Sequence, residues 1–261
     1  MTEKLIDVQI DGLVGTVTMC HQKRRNVINQ ALIDAMTAAF AGFGREKTRA
    51  VILRAEPGVK VWSAGHDVNE LPDSGCDPLA YNDPLTTLLR LIQQCPMPVL
   101  AMVEGGVWGG AVDLALSSDI IIATPESYFC MTPARIGLPY NASGLLHFMA
   151  AMNLNVVREM FFTAKPLSAE RGARLGMVNH LVPGGEIEAF TKAMAQTISE
   201  NSPLSIGVIK EQLRLLANAH PLSPLTFERI QGLRSIAYGS KDYREGIAAF
   251  REKRKPVFIG E

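Results

Sequence analysis

Two short turns of small residues are the parts of this sequence best suited to bind a developing negative charge. The first, Ser63-Ala64-Gly65-His66-Asp67, follows an apolar stretch, and the second, Gly105-Gly106-Val107-Trp108-Gly109-Gly110, leads into a helical pattern. Glycine lets a ligand approach the backbone closely, and the first N–H groups of a helix have no partner within that helix. Two such turns facing each other would offer paired N–H donors, an oxyanion hole, although each turn taken singly is explained as well by close packing.

The spacing of glycine, histidine and serine residues argues against a nucleotide-binding loop, a metal site and a serine hydrolase. The glycine cluster does not satisfy G-x-G-x-x-G, and no Lys-Ser/Thr follows it, so it is not a nucleotide-binding loop. The five histidines have no metal-binding spacing and H-E-x-x-H is absent, so no metal site is predicted. A serine hydrolase is disfavoured because no G-x-S-x-G elbow exists and the adjacent His66 and Asp67 would point in different directions.

Length and composition predict a folded chain that binds neither nucleic acid nor membranes. Of the 261 residues, 47% are hydrophobic and 20% are charged, which excludes extended disorder. Lys and Arg number 26, as do Asp and Glu, so the zero net charge gives no general attraction to a phosphate backbone. No apolar run could cross a bilayer, the amino terminus lacks a secretory pattern, and the four cysteines are scattered. We therefore expect a cytoplasmic protein.

Hydrophobic periodicity predicts an α/β architecture that becomes all helical toward the end. Asp11-Gly12 separates two extended stretches, at 8–10 and 13–19, and Asn29 is the expected N-cap of the first helix. Further strands are predicted at 50–53, 61–67, 99–103, 120–123, 128–131 and 177–182, and further helices at 85–94, 111–117, 143–163, 169–175, 186–199, 203–218, 224–237 and 241–252. A long loop is predicted over 71–83, and the irregular alternation disfavours a Rossmann-type sheet.

The two turns, together with other segments in the same order, resemble the enoyl-CoA hydratase/isomerase family, the crotonases. The resemblance extends from end to end of the chain. It includes residues 26–29, 118–123, 136–139, 240–246 and 250–254, the last two reading Ser-Lys-Asp-Tyr-Arg-Glu-Gly and Phe-Arg-Glu-Lys-Arg. The resemblance implies an α/β fold with a spiral of ββα units in residues 1–199 and a helical trimerisation region in residues 200–261. It also implies a homo-trimer or a homo-hexamer, a dimer of trimers.

The resemblance gives roles to individual residues. The backbone N–H groups of His66 and Gly110 would bind the thioester oxygen of an acyl-CoA, and Ala64 would contact adenine through its backbone. Five other residues are implied in CoA binding: Lys23, Arg24 and Asn26 near the phosphates, and Phe250 and Lys253 on CoA held by a neighbouring subunit. Without the resemblance, Lys253 would be read as one member of a solvated basic run.

The two glutamates that hydratases of this family use are both altered here. Asp113 matches the first with a shorter side chain, and Ala134 matches the second, so that carboxylate is lost. Moving the proton of a water molecule in this way needs two opposed titratable groups, so we do not expect hydration. Asp113 has a second explanation, because an acid in the first turn of a helix complements the helix dipole.

Tyr140 stands where the family usually has glycine. Its segment, Leu138-Pro139-Tyr140-Asn141, is similar, with Met131-Thr132-Pro133 and the second turn, to the branch of the family that decarboxylates methylmalonyl-CoA, where the matching tyrosine hydrogen-bonds the substrate carboxylate. The resemblance implies a catalytic Tyr140 and a substrate pocket that includes Trp108, Asp113, Thr132 and Leu138. The expected reaction gives propionyl-CoA through a thioester enolate, with no biotin, metal or other cofactor.

Two alternatives remain open at this point. The first is an enoyl-CoA isomerase, or another acyl-CoA enzyme, that uses Asp113 as its single acid/base. The second is a non-enzymatic RNA-binding protein of the same fold, which the zero net charge disfavours.

Overall fold

The fold is a spiral of ββα units built on two sheets. A computed structural model describes residues 4–72, 75–217 and 223–260. Its strands are β1 (Ile6–Asp11), β2 (Val14–Met19), β3 (Ala50–Ala55), β4 (Val61–Ser63), β5 (Val99–Val103), β6 (Gly106–Trp108), β7 (Ile120–Ala123), β8 (Tyr128–Cys130), β9 (Leu167–Ser168) and β10 (His180–Leu181). One sheet has the order β1-β2-β3-β5-β7-β10 and the other β4-β6-β8-β9.

Helices separate successive pairs of strands and then form the end of the chain. They are α1 (Gln30–Arg45), α2 (Pro84–Gln94), α3 (Gly110–Leu116), α4 (Ala142–Ala151), α5 (Leu154–Thr163), α6 (Ala169–Arg174), α7 (Gly184–Glu200), α8 (Pro203–Ala217), α9 (Pro224–Gly239) and α10 (Lys241–Arg251). The pairs β3–β4, β5–β6 and β7–β8 each place one strand in each sheet, and a helix follows the first two pairs. The predicted spiral of ββα units is therefore confirmed.

The central strands are apolar because both of their faces are covered. Val51 and Leu53 of β3 pack in the cluster that includes α1 and α2, whereas Ala50 and Ile52 pack in the cluster that includes α7. β3 pairs with β2 on one side and β5 on the other, in parallel both times. A parallel strand buried on both faces reads as a continuous hydrophobic run, which is why the sequence located β3, β5 and β7.

Three predicted elements differ from the structure. The strand predicted at 61–67 is confined to β4, Val61–Ser63, and beyond it His66 makes only an isolated bridge with Ile28. The helix predicted at 143–163 is two helices, because Met152 is extended (φ −157°, ψ 167°) and the Asn153 side chain caps α5 by accepting from the Asn155 N–H. The strand predicted at 177–182 has only His180 and Leu181 in the sheet. The short strands β6 and β9 were not predicted. Residues 73 and 74 of the predicted loop and residue 218 of a predicted helix lie outside the described residues.

The last helix, α10, packs against the segment Pro133–Ile136 that borders the site. Tyr243 is fully buried, and its side-chain O–H donates to the Pro72 carbonyl at 2.9 Å. The division of the chain at residue 200 stays a prediction. None of the helices in the described ranges has the length and apolarity needed to cross a membrane.

Replacing Gly246 with alanine should loosen this contact. A Cβ at Gly246 would lie 2.3 Å from the carbonyl carbon and oxygen of Ile136, so α10 must move away. We expect Gly246→Ala to lower the free energy of unfolding by about 2 kcal/mol, measured by chemical denaturation. Gly42→Ala in α1 is the matched control, because nothing lies within 4 Å of its Cβ. This control should gain about 0.5–1 kcal/mol, and equal losses in both variants would contradict the packing described.

Candidate active site

The two small-residue turns border a cavity of about 810 Å³. Ten of the residues singled out from the sequence line it: Lys23, Arg24, Ala64, His66, Trp108, Gly110, Thr132, Leu138, Tyr140 and Phe250. Three do not: Asn26, Asp113 and Lys253. The cavity therefore joins the residues predicted for CoA with those predicted for the acyl group.

The turns are held so that two N–H groups stay unpaired. Beside His66, the Asp67 N–H donates to the Ile28 carbonyl at 2.9 Å, and beside Gly110, the Gly109 N–H donates to the Cys130 carbonyl at 2.8 Å. The N–H groups of His66 and Gly110 themselves donate to no atom of the described residues. For Gly110 the reason is its place as the first residue of α3.

Close packing of the two turns brings these N–H groups together. A Cβ built at Gly110 would lie 3.6 Å from the His66 nitrogen. Gly65 has φ +84°, and a Cβ there would lie 2.3 Å from the Trp108 carbonyl oxygen and 3.2 Å from the Gly110 nitrogen. Only glycine allows this approach, so the arrangement can offer two backbone donors to one oxygen atom.

The His66 ring is held in its neutral form. Burial lowers the pKa of the imidazole below its usual value, outweighing the acids around it. Its Nδ1 atom is buried without a partner among the described residues. A neutral ring adds no cation beside the two N–H groups.

Tyr140 lies at the apolar end of the cavity, and its hydroxyl is already hydrogen-bonded. The phenol donates to Asp113 Oδ2 at 2.7 Å, while its ring packs against Phe148 and Phe161, with centroids 6.2 and 5.5 Å away. Burial, and secondarily the Asp113 carboxylate, raises the pKa of Tyr140 well above its usual value. The hydroxyl therefore stays protonated and remains a donor.

Asp113 is buried behind Tyr140 and has a second partner. Its side chain is 1% exposed, and Oδ1 lies 2.6 Å from His147 Nδ1. The other ring nitrogen of His147 lies 2.9 Å from the Gln93 side-chain amide. The sequence did not indicate His147 or Gln93, because they lie on α4 and α2, far along the chain from Asp113 on α3.

The part of the chain that the structure describes gives the cavity no opposed pair of free carboxylates. Among the described residues, Asp67 is the one acidic side chain that lines it, and Asp67 pairs with Arg24 at 2.7 Å. Ala134 is exposed and lies outside the lining. The described lining therefore lacks the arrangement that moves protons of water in hydratases.

The polar end of the cavity carries four cations. Lys23, Arg24 and Arg25 line it together with Arg135. The first three belong to the segment from Lys23 to Asn26 that was predicted to lie near the phosphates, whereas Arg135 was not predicted. The Ala64 N–H donates to the Arg25 carbonyl at 2.8 Å, so a ligand at Ala64 would meet its carbonyl oxygen instead. This end suits phosphate groups of a nucleotide.

The remaining predicted CoA residues have other positions. The Asn26 side chain is fully buried and donates to the Trp62 carbonyl at 2.8 Å, so it ties the basic loop to the strand before the first turn. Phe250 lines the cavity of its own chain, and Lys253 is exposed outside it. Contacts of Phe250 and Lys253 with CoA in a neighbouring subunit stay predictions.

The fold and this site define the class of protein. The sequence pattern of the enoyl-CoA hydratase/isomerase family matches residues 9–261. The chain belongs to the enoyl-CoA hydratase/isomerase family.

Within the family, the chain is similar over its full length to methylmalonyl-CoA decarboxylase. It is 45% identical over 260 residues to that enzyme of Escherichia coli strain K12, with 100% of both chains covered. A solved methylmalonyl-CoA decarboxylase in complex with 2-nitronate-propionyl-CoA matches with a TM-score of 0.97 and covers 99% of each chain. Another, complexed with 2S-carboxypropyl-CoA, also has a TM-score of 0.97 and covers 100% of each chain. A probable enoyl-CoA hydratase of Rhodobacter capsulatus is 28% identical, with 100% of both chains covered.

Proposed function

We propose that this protein decarboxylates methylmalonyl-CoA to propionyl-CoA. The observation that carries the proposal is Tyr140, a phenol that stays protonated and lines a cavity of about 810 Å³ whose described lining has no free carboxylate pair. The full-length similarity to methylmalonyl-CoA decarboxylase supports the same reaction.

The reaction needs charge stabilisation more than acid–base chemistry. As the bond between C2 and the carboxylate breaks, its electrons move to the thioester oxygen and form an enolate. The unpaired N–H groups of His66 and Gly110 would receive that oxygen as an oxyanion hole. One such donor is worth about 3 kcal/mol in comparable sites. No base is needed to begin the reaction.

Orientation is the second requirement. The breaking bond must stand perpendicular to the thioester plane so that its electrons enter the π system. A hydrogen bond from Tyr140 to the substrate carboxylate would hold it there. Leu138, Trp108 and Thr132 line this part of the cavity and would surround the acyl group.

CoA would extend from this pocket to the basic end of the cavity. Lys23 and Arg24, joined by Arg25 and Arg135, would face the phosphates. The exocyclic amine of adenine would donate to the Ala64 carbonyl.

We propose that neither biotin nor a metal ion takes part, because the enolate charge is carried by backbone donors. No metal-binding cluster of acidic, histidine and cysteine side chains occurs in the described ranges.

An isomerase that uses Asp113 as its direct acid/base is less well supported. Asp113 is 1% exposed, does not line the cavity, and is separated from it by Tyr140.

The test of the proposed decarboxylation is mass spectrometry of purified protein incubated with racemic methylmalonyl-CoA, with EDTA and avidin present, beside a panel of enoyl-CoA esters. Propionyl-CoA is expected, and turnover of enoyl-CoA alone would contradict the proposal.

We further propose a homo-trimer or a homo-hexamer. Apolar side chains of α8 and α9 are exposed in the single chain, among them Leu204 (81%), Leu213 (63%), Leu216 (73%), Leu233 (60%) and Ile236 (72%). An exposed apolar surface of this kind marks an interface. Analytical ultracentrifugation should show three or six copies per particle, and a monomer at micromolar concentration would contradict this. A cytoplasmic location stays a prediction.

A further inference from the structure

Decarboxylation consumes a proton, and the proposed function leaves its source open. The bond from C2 to the carboxylate breaks, CO2 leaves, and a new C2–H bond forms from the enolate electron pair and one proton. Each turnover therefore takes one proton from solvent to the acyl end of the cavity. The path of that proton presupposes the proposed function.

A continuous row of hydrogen-bonding groups connects the pocket to a second cavity. Tyr140 lines the main cavity and donates to Asp113, which contacts His147 Nδ1. His147, with its side chain 15% exposed, lines a separate cavity of about 300 Å³ on the other side of α3 and α4. Each junction is a hydrogen bond, the two distances being 2.7 and 2.6 Å.

We propose that His147, Asp113 and Tyr140 deliver the proton that converts the enolate to propionyl-CoA. Tyr140 gives its O–H proton to C2, Asp113 returns a proton to the phenolate oxygen, and the His147 imidazolium returns one to Asp113. His147 then takes a proton from water in the second cavity. One proton enters and one is consumed, so the balance closes without any other reactant.

The same path explains how one phenol can serve two carboxylates. The Tyr140 O–H has a single proton, which points at Asp113 in the structure. When the substrate carboxylate enters, two buried carboxylates would compete for that donor, and burying an unpaired charge is costly. The conflict is removed when a proton is taken up by Asp113 as the substrate binds, because protonated Asp113 donates to Tyr140 and Tyr140 donates to the substrate. His147 is needed to restore that proton after each turnover.

The surroundings of His147 suit a group that changes its protonation. The Gln93 amide contacts Nε2, and a half-turn of that amide presents either an N–H to the neutral ring or a carbonyl oxygen to the imidazolium. Besides its contact with Asp113, His147 shares the second cavity with three charged side chains among the described residues, Asp119, Lys210 and Arg214, and Lys210 is paired to Asp119 at 2.7 Å.

The test separates proton delivery from bond cleavage. Asparagine at position 147 keeps an N–H near the place of Nδ1 but transfers no proton. We expect His147→Asn to release about one CO2 per site at the wild-type rate in acid-quenched mixtures and then to turn over about 100-fold more slowly. Wild type should show no burst. Imidazole should restore the steady-state rate of His147→Ala, and the rescue should fall as pH rises above the pKa of imidazole.

Three results would overturn the proposal. An unchanged steady-state rate in His147→Asn would show that the proton takes another path. Slow release without a burst, and without rescue by imidazole in His147→Ala, would leave His147 a purely structural role. Absence of CO2 release by wild type would instead remove the proposed function itself, so the two failures are distinguished by the wild-type control.

Discussion

Tyr140→Phe should lower kcat for decarboxylation about 100-fold or more, because a hydrogen bond to a charged group contributes roughly 1.5–3 kcal/mol and the variant also loses the proposed proton donor. The ring remains packed against Phe148 and Phe161, so the pocket keeps its shape. Affinity for CoA should change little, because the hydroxyl lies at the acyl end of the cavity. Steady-state kinetics and calorimetric titration with CoA measure the two quantities separately.

Tyr128→Phe is the matched control for this experiment. Tyr128 also lines the cavity, packs edge-on against Trp108 with centroids 5.5 Å apart, and its hydroxyl makes no hydrogen bond within the described residues. Its loss should leave kcat within about twofold of wild type. Full activity in Tyr140→Phe would show that the hydroxyl neither orients the carboxylate nor gives a proton.

Gly65→Ala should lower kcat about 100- to 1000-fold, the effect of losing a donor from an oxyanion hole. The added Cβ would lie 2.3 Å from the Trp108 carbonyl oxygen, and neither atom belongs to a flexible side chain. The second turn must therefore move, and the Gly110 N–H moves with it. Circular dichroism and gel filtration would establish that the variant folds before its kinetics are compared.

Gly58→Ala separates this effect from backbone strain. Gly58 also has a positive φ, +70° against +84° at Gly65, but nothing lies within 4 Å of a Cβ built there. Both variants should lose about 1–2 kcal/mol of stability from the left-handed conformation. Gly65→Ala should lose more because its Cβ overlaps the Trp108 carbonyl oxygen, and it alone should also lose activity. Equal kcat values in the two variants would contradict the role given to the paired turns.

Most of the fold could be predicted from the sequence because most strands and helices are indicated by the residues within them. The buried parallel strands read as apolar runs, and Asn29 caps α1 as predicted by accepting from the Leu32 N–H. The break between α4 and α5 was missed, because apolar spacing continues across Met152 and Asn153 and the capping geometry is decided by packing.

Some residues of the site could likewise be predicted from local sequence, and others could not. The glycines of the two turns are visible in the sequence, and Tyr140 is visible because it departs from the pattern of the family. The contact between Asp113 and His147 joins residues 34 positions apart on different helices, and nothing in either segment signals it. Arg135 was not predicted to line the cavity, because the direction in which one arginine side chain extends depends on the backbone of the turn that carries it.

The central claim is that a thioester enolate forms by loss of CO2 without biotin or metal. Its most direct test is nuclear magnetic resonance of methylmalonyl-CoA labelled with carbon-13 in the free carboxylate, incubated in D2O with the protein, EDTA and avidin. We expect the label to leave entirely as CO2, with one propionyl-CoA formed per CO2 and one deuterium at its C2. Deuterium at C2 of methylmalonyl-CoA whose labelled carboxylate is retained would contradict the account and indicate proton transfer in place of decarboxylation.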